Sequence, residues 1–150
     1  MTEKFQIINA SAGSGKTFSL ASNVIMKLLS GDEDSYKKIL ALTFTNNSAN
    51  EMKNRILDEL SQISKDPSKS IIYQETKLKS LFKEQQISKK ATKVLNKILH
   101  NFSFFQISTI DKFNHRLIRS FSNDMSLSSD FDLVIESDEF SENLALEFIE

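Results

Sequence analysis

Apolar positions along this chain change their period several times, and each change marks an expected element. Residues 5–9, Phe-Gln-Ile-Ile-Asn, form a short apolar run of the kind that becomes a strand. From residue 18 the spacing turns helical, with Phe18, Ala21, Ile25, Leu28 and Leu29 on one side and a stop signal at Gly31 and Asp32. Residues 39–44, Ile-Leu-Ala-Leu-Thr-Phe, are apolar without alternation, as in a parallel strand covered on both faces. Ser48 and Glu51 have the spacing of a capping box for a helix carrying Met52, Ile56 and Leu60. Strand, helix, strand, helix in this order predicts an α/β fold, a parallel sheet with helices on both faces joined by right-handed crossovers.

The middle of the chain differs. Asp66, Pro67 and Ser68 make a break, and two helices are expected after it, over about 71–86 and 88–101. In the second, Ala91, Val94, Leu95, Ile98 and Phe102 gather on one side, with Lys89, Lys90, Lys93 and Lys97 opposite. Those lysines are either a solvated face of a packed helix or a phosphate-facing stripe. A strand is expected at 104–108, followed by a helix through Phe121. Residues 131–135 are a further strand candidate, and a last helix starts near Ser137 and reaches Glu150 with no stop signal. The expectation is a chain that continues beyond residue 150. The organisation expected is a first body over 1–121, with a helical insertion at about 63–101, and the start of an inserted subdomain over 122–150.

Charge sharpens that division. All 19 Lys and Arg lie at or before Arg119, whereas nine of the 20 acids follow Phe121. Residues 1–121 therefore carry a net +8 and residues 122–150 a net −9, which suggests a basic binding body joined to something different. The composition, 39% hydrophobic and 26% charged, is that of a globular protein. No apolar run approaches membrane-spanning length, and the N-terminus has no secretory pattern, so no membrane partner and a cytoplasmic location are expected. The absence of cysteine excludes disulfides and thiolate metal sites here, and two histidines, His100 and His115, exclude a multi-histidine site.

The strongest chemistry follows the first apolar run. Ala10, Ser11, Ala12, Gly13, Ser14, Gly15, Lys16 and Thr17 form a loop of small residues, then Lys-Thr, then the first amphipathic helix. That is the pattern of a phosphate-binding P-loop, with Ala10 where the common pattern has Gly. Glycines let successive N–H groups face one anion, and the helix adds the positive end of its dipole. Lys16 would reach the β- and γ-phosphates of ATP, and the Thr17 hydroxyl would ligate Mg²⁺. The plainer alternative is a flexible turn that contains a lysine.

Thr43, Thr45 and Asn46 stand at the C-terminal end of an expected parallel strand, where α/β sheets place ligands. Their polar groups suit contacts that position DNA without reading its sequence. Phe44 either stacks on a base or packs into the core. A carboxylate that holds Mg²⁺ and orients water is poorly imitated by Asp111 and by Glu136. Two other readings stay open: a small self-contained P-loop ATPase or kinase using Asp111, and a nucleic-acid-binding module with a vestigial P-loop.

Three segments in order resemble the opening motifs of superfamily 1 DNA helicases of the UvrD/Rep type. They are the P-loop, residues 42–52 with Thr43, Phe44, Thr45 and Asn46, and residues 107–121 with Thr109, Asp111, Phe113 and Arg116. The long insertion between the second and third, and Asp111 where many Rep-type members carry His, look more like the RecB/AddA helicase–nuclease subunits. The resemblance implies the N-terminal part of a first RecA-like lobe in an ATP-dependent helicase of recombination and repair. It implies ATP and Mg²⁺ as cofactors, with Lys16 and Thr17 in catalysis. Single-stranded or duplex-end DNA and a second helicase–nuclease subunit are the partners it implies. It also implies that the acidic and arginine motifs lie downstream, so that these 150 residues alone are inactive. Where family members often carry Lys and Ala, Asn47 and Ser48 stand here.

Overall fold

The computed structural model describes residues 15–122 and 124. Residues 10–14 of the loop, and the elements expected at 5–9, 131–135 and from 137, lie outside the described residues. Two compact units divide the chain, one up to Ile110 and one from Asp111, whereas the change in charge falls after Arg119.

The first unit is α/β. Helix α1 (Lys16–Ser30) ends at Gly31, whose N–H donates to the Lys27 carbonyl. A Cβ on Gly31 would run into the Ser35 hydroxyl, so a larger residue there would have to displace that side chain. Strand β1 (Leu40–Thr43) leads into α2 (Asn46–Lys65). Three helices follow, α3 (Ile71–Glu75), α4 (Leu78–Leu81) and α5 (Glu84–His100), before β2 (Gln106–Thr109). The strands pair in parallel, with Leu40 opposite Gln106 and Thr43 opposite Thr109. A parallel pair needs a long crossover, and here that crossover is the helical stretch from α2 to α5.

The core forms where helical spacing puts apolar residues on facing sides. Helix α1 supplies Ala21, Ile25, Leu28 and Leu29, α2 supplies Met52, Ile56, Leu60 and Ile63, and α5 supplies Ile87, Ala91, Val94 and Ile98. Helix α2 packs against both α1 and α5. Each fully buried Leu or Ile contributes on the order of 1.5–3 kcal/mol relative to exposure.

Three expectations need correction. Helix α2 is not capped by Ser48: it starts at Asn46, and the Thr45 hydroxyl accepts the Ser48 N–H at 3.2 Å. Thr45 is still extended as it leaves the strand (φ −113°, ψ 151°), so its hydroxyl reaches the third helical amide first. Glu51 takes an ion pair with Arg55 one turn on, at 3.2 Å. The helix expected over 71–86 is broken twice, because Thr76 and Phe82 are extended. Local polar groups hold both breaks: the Thr76 hydroxyl accepts the Leu78 N–H, and the Tyr73 hydroxyl donates to the Phe82 carbonyl at 3.1 Å. The last strand starts at Gln106 rather than 104, because Phe102–Phe104 is a 3-10 turn, and Phe102 is exposed rather than on the buried side of α5.

Helix α5 explains half of its own lysine stripe. Lys93 pairs with Glu33 at 3.0 Å, and Lys97 reaches Asp34 at 3.0 Å and Glu33 at 3.3 Å. These acids sit in the connection between α1 and β1, so the pairs tie that connection to the helix. Such exposed pairs are individually weak. Hydrogen bonds from Lys93, then Lys97, hold the Glu33 carboxyl below its ordinary range. Asp34 is held low chiefly by Lys37, then Lys97.

In the second unit the described element is α6 (Ile110–Ser120), which continues from β2 without an intervening loop. Asp111 lies in its first turn, where a carboxylate complements the helix dipole. No helix among the described residues is long and apolar enough to cross a membrane. No cluster of three or more metal-ligating side chains occurs among them.

Candidate nucleotide and nucleic-acid site

The start of α1 is built around Gly15. Its φ of 77° and ψ of 22° are left-handed, a conformation that costs other L-residues about 1–2 kcal/mol. A Cβ there would meet nothing within 4 Å, so the demand for glycine is conformational rather than steric. The Gly15 carbonyl accepts the Ser19 N–H at 2.9 Å and opens the helix. Lys16 and Thr17 are the first two helical residues, Lys16 exposed and Thr17 half-buried. Gly15 has no side chain to cap the helix, and the first turn holds no acid. The leading amides of a helix lack intrahelical acceptors. With the dipole and Lys16 beside them, they suit an anion.

At the end of β1 the chain makes a tight polar turn into α2. The Thr43 hydroxyl donates to the Thr45 carbonyl at 2.9 Å, and the Thr45 and Ser48 hydroxyls bond at 2.8 Å. This holds Phe44, between the two threonines, out in solvent at 85% exposure. Among the described residues Phe44 packs into no core. The proton of Thr43 is spent inside the turn, so polar donors offered outward here come from Asn46, and from Asn47, a departure from the family motif; both are exposed.

Thr109 closes the sheet opposite Thr43 and is buried at 4% exposure. Its hydroxyl is therefore not offered at the surface. The structure thus gathers Thr43, Phe44, Thr45 and Asn46 in one turn and sets Thr109 in the adjoining strand. Asp111, Phe113 and Arg116 belong to α6 in the second unit, with Asp111 and Arg116 exposed and Phe113 half-buried. Ala10 to Ser14 lie outside the described residues.

A left-handed glycine opening a Lys-Thr helix, and an aromatic held out at the end of a parallel strand, define an α/β protein equipped to meet anions and planar rings. The chain belongs to the family of UvrD/REP helicase N-terminal domains, whose model matches residues 1–149. Among its relatives is the RecBCD enzyme subunit RecB of Chlamydia muridarum, 36% identical over 107 residues, which are 71% of this chain and 10% of that protein. Another is the AddA subunit of the ATP-dependent helicase/nuclease of Staphylococcus haemolyticus, 31% identical over 130 residues, 87% of this chain and 10% of that protein. The chain spans about a tenth or less of the length of the curated relatives it matches. No solved structure matches it.

Proposed function

We propose that this chain is the N-terminal, ATP-binding portion of an ATP-dependent DNA helicase or translocase with a P-loop, RecA-like first lobe. It would act on single-stranded or duplex-end DNA in recombination and repair, in the cytoplasm, alongside a second helicase–nuclease subunit. The observation that carries the nucleotide part is the left-handed Gly15 before Lys16 and Thr17, at the end of a small-residue loop in a chain of this family. The residues fit the group: a glycine conformation that lets amides converge, a helix start without acid, a lysine and a hydroxyl.

Bound Mg-ATP supplies the phosphoryl group whose hydrolysis drives movement. Lys16 would hold the β- and γ-phosphates with its ammonium, and the Thr17 hydroxyl would ligate Mg²⁺. The first amides of α1 would orient the phosphate oxygens, so that charge developing on them would meet donors fixed by the helix. For DNA, Phe44 offers an exposed ring on which a base can stack irrespective of sequence, and Asn46 and Asn47 offer amide donors to phosphate and sugar. Among the described carboxylates, Asp111 is accounted for by the first turn of α6, which weighs against a self-contained ATPase built on it.

The test is Lys16→Ala in the purified full-length protein. ATP hydrolysis is expected to fall by orders of magnitude, since phosphoryl transfer rests on positioning and charge stabilisation. Unchanged turnover would remove the P-loop assignment.

A further inference from the structure

Helix α5 carries two kinds of lysine. Lys93 and Lys97, towards its C-terminal end, are paired with Glu33 and Asp34. In its first turns, and in the residues that lead into it, the pattern reverses. Residues 76–92 hold five lysines against one carboxylate, Glu84, and among the described residues none of the five is paired with an acid. Lys79 donates to an uncharged partner, the Gln74 side-chain oxygen, at 2.6 Å. Lys90 lies over the Phe82 ring, 5.1 Å from its centre.

Two of the five lysines, Lys79 and Lys83, line an open cleft of about 900 Å³ at the junction of α4 and α5, together with Glu84, Gln85 and Gln86 around Phe82; Lys77, Lys89 and Lys90 lie outside that lining. The break at Phe82 forms it, and that break is held by the Tyr73 hydroxyl on the Phe82 carbonyl and by Gln86, whose side chain accepts the Lys83 N–H at 3.1 Å. The lining offers two cations, Lys79 and Lys83, and the amide donors of Gln85 and Gln86 against one carboxylate, Glu84. It offers no open ring, because Tyr73 is buried and Phe82 is half-buried beneath Lys90.

Binding of single strands combines a basic groove with aromatic faces on which bases stack. A duplex keeps its bases stacked inside and presents only phosphates along its flank. We infer that the α4–α5 cleft is a docking surface for the phosphate backbone of duplex DNA, separate in chemistry from the Phe44 turn. This rests on the proposed DNA-processing role, because charge alone would also suit an acidic protein surface.

The experiment compares wild type with K79Q/K83Q/K89Q, whose three side chains are exposed and leave the core untouched. Affinity for a blunt duplex and for an oligothymidine strand is measured across a salt series, together with ATP hydrolysis. The variant is expected to bind the duplex at least about tenfold more weakly near 0.1 M salt, its log–log salt slope shallower by about 0.9 for each phosphate no longer neutralised. Oligothymidine affinity and Lys16-dependent hydrolysis are expected to remain at wild-type levels. An unchanged duplex slope overturns the inference and leaves these lysines to an acidic protein partner, with the proposed function intact. Equal weakening on duplex and single strand also overturns it. A wild-type protein that binds neither form removes the proposed function, and the inference falls with it.

Discussion

Helices α1 and α2 open in opposite ways. Helix α1 begins at a glycine with no capping side chain, no acid in its first turn and a lysine as its first residue. Helix α2 begins at Thr45, whose hydroxyl takes the Ser48 amide, beside a second threonine that braces the same turn. One start leaves its amides to whatever anion arrives. The other satisfies itself and spends its rigidity on holding Phe44 in solvent. Leading amides without a capping side chain, a defect in an ordinary helix, are what a phosphate site requires, whereas a stacking platform requires a fixed backbone and a free ring.

That contrast can be broken from either side. The largest effect belongs to α1: Lys16→Ala should abolish most hydrolysis while leaving the thermal midpoint close to wild type, because the side chain is exposed. A large loss of stability would mean that Lys16 serves the fold instead. Next comes Phe44→Ala, which should weaken single-strand binding by about 1–3 kcal/mol with normal denaturant unfolding. Equal affinity in a folded variant would leave the turn without a stacking role.

Thr45→Ala should show the reverse signature of Lys16→Ala. Loss of the cap is expected to lower stability by about 1 kcal/mol, read from the denaturant midpoint, with the nucleotide dependence of hydrolysis retained. A midpoint that does not move would mean that α2 finds another cap.

The smallest effect tests the ion pairs that separate the two halves of α5. Glu33 and Asp34 have folded-state pKa values below their ordinary ones, so their contribution to stability is present above the ordinary carboxylate range, about pH 4. It is lost as the pH falls through the lower folded values. Lys97 is raised, chiefly by the hydrogen bond it donates to the Asp34 carboxylate, so its share is present below the ordinary lysine range and lost as pH rises through the folded value. A Glu33→Gln/Asp34→Asn protein should therefore show a flatter acid limb when thermal midpoint is plotted against pH. An acid limb identical to wild type would mean that the pairs contribute nothing measurable.

Local spacing determined much of this protein. Helical periodicity defined α1, the core positions of α2, and Ala91, Val94 and Ile98 on α5, since residues three and four apart share a face whatever surrounds them. The unalternating run that became β1 already marked a parallel strand, and the Lys-Thr pair after glycine marked where α1 begins. Tertiary structure decided what depends on distant partners. Nothing near Phe44 says whether a phenylalanine after a strand turns inward; the braced threonine turn and the layers beneath it do. The lysines of α4, α5 and the link between them look alike along the chain, yet Lys93 meets Glu33 across 60 residues while Lys79 and Lys83 line a cleft. The break at Phe82 was likewise illegible, because the Tyr73 hydroxyl that holds its carbonyl from nine residues away acts only once the chain has folded back on itself.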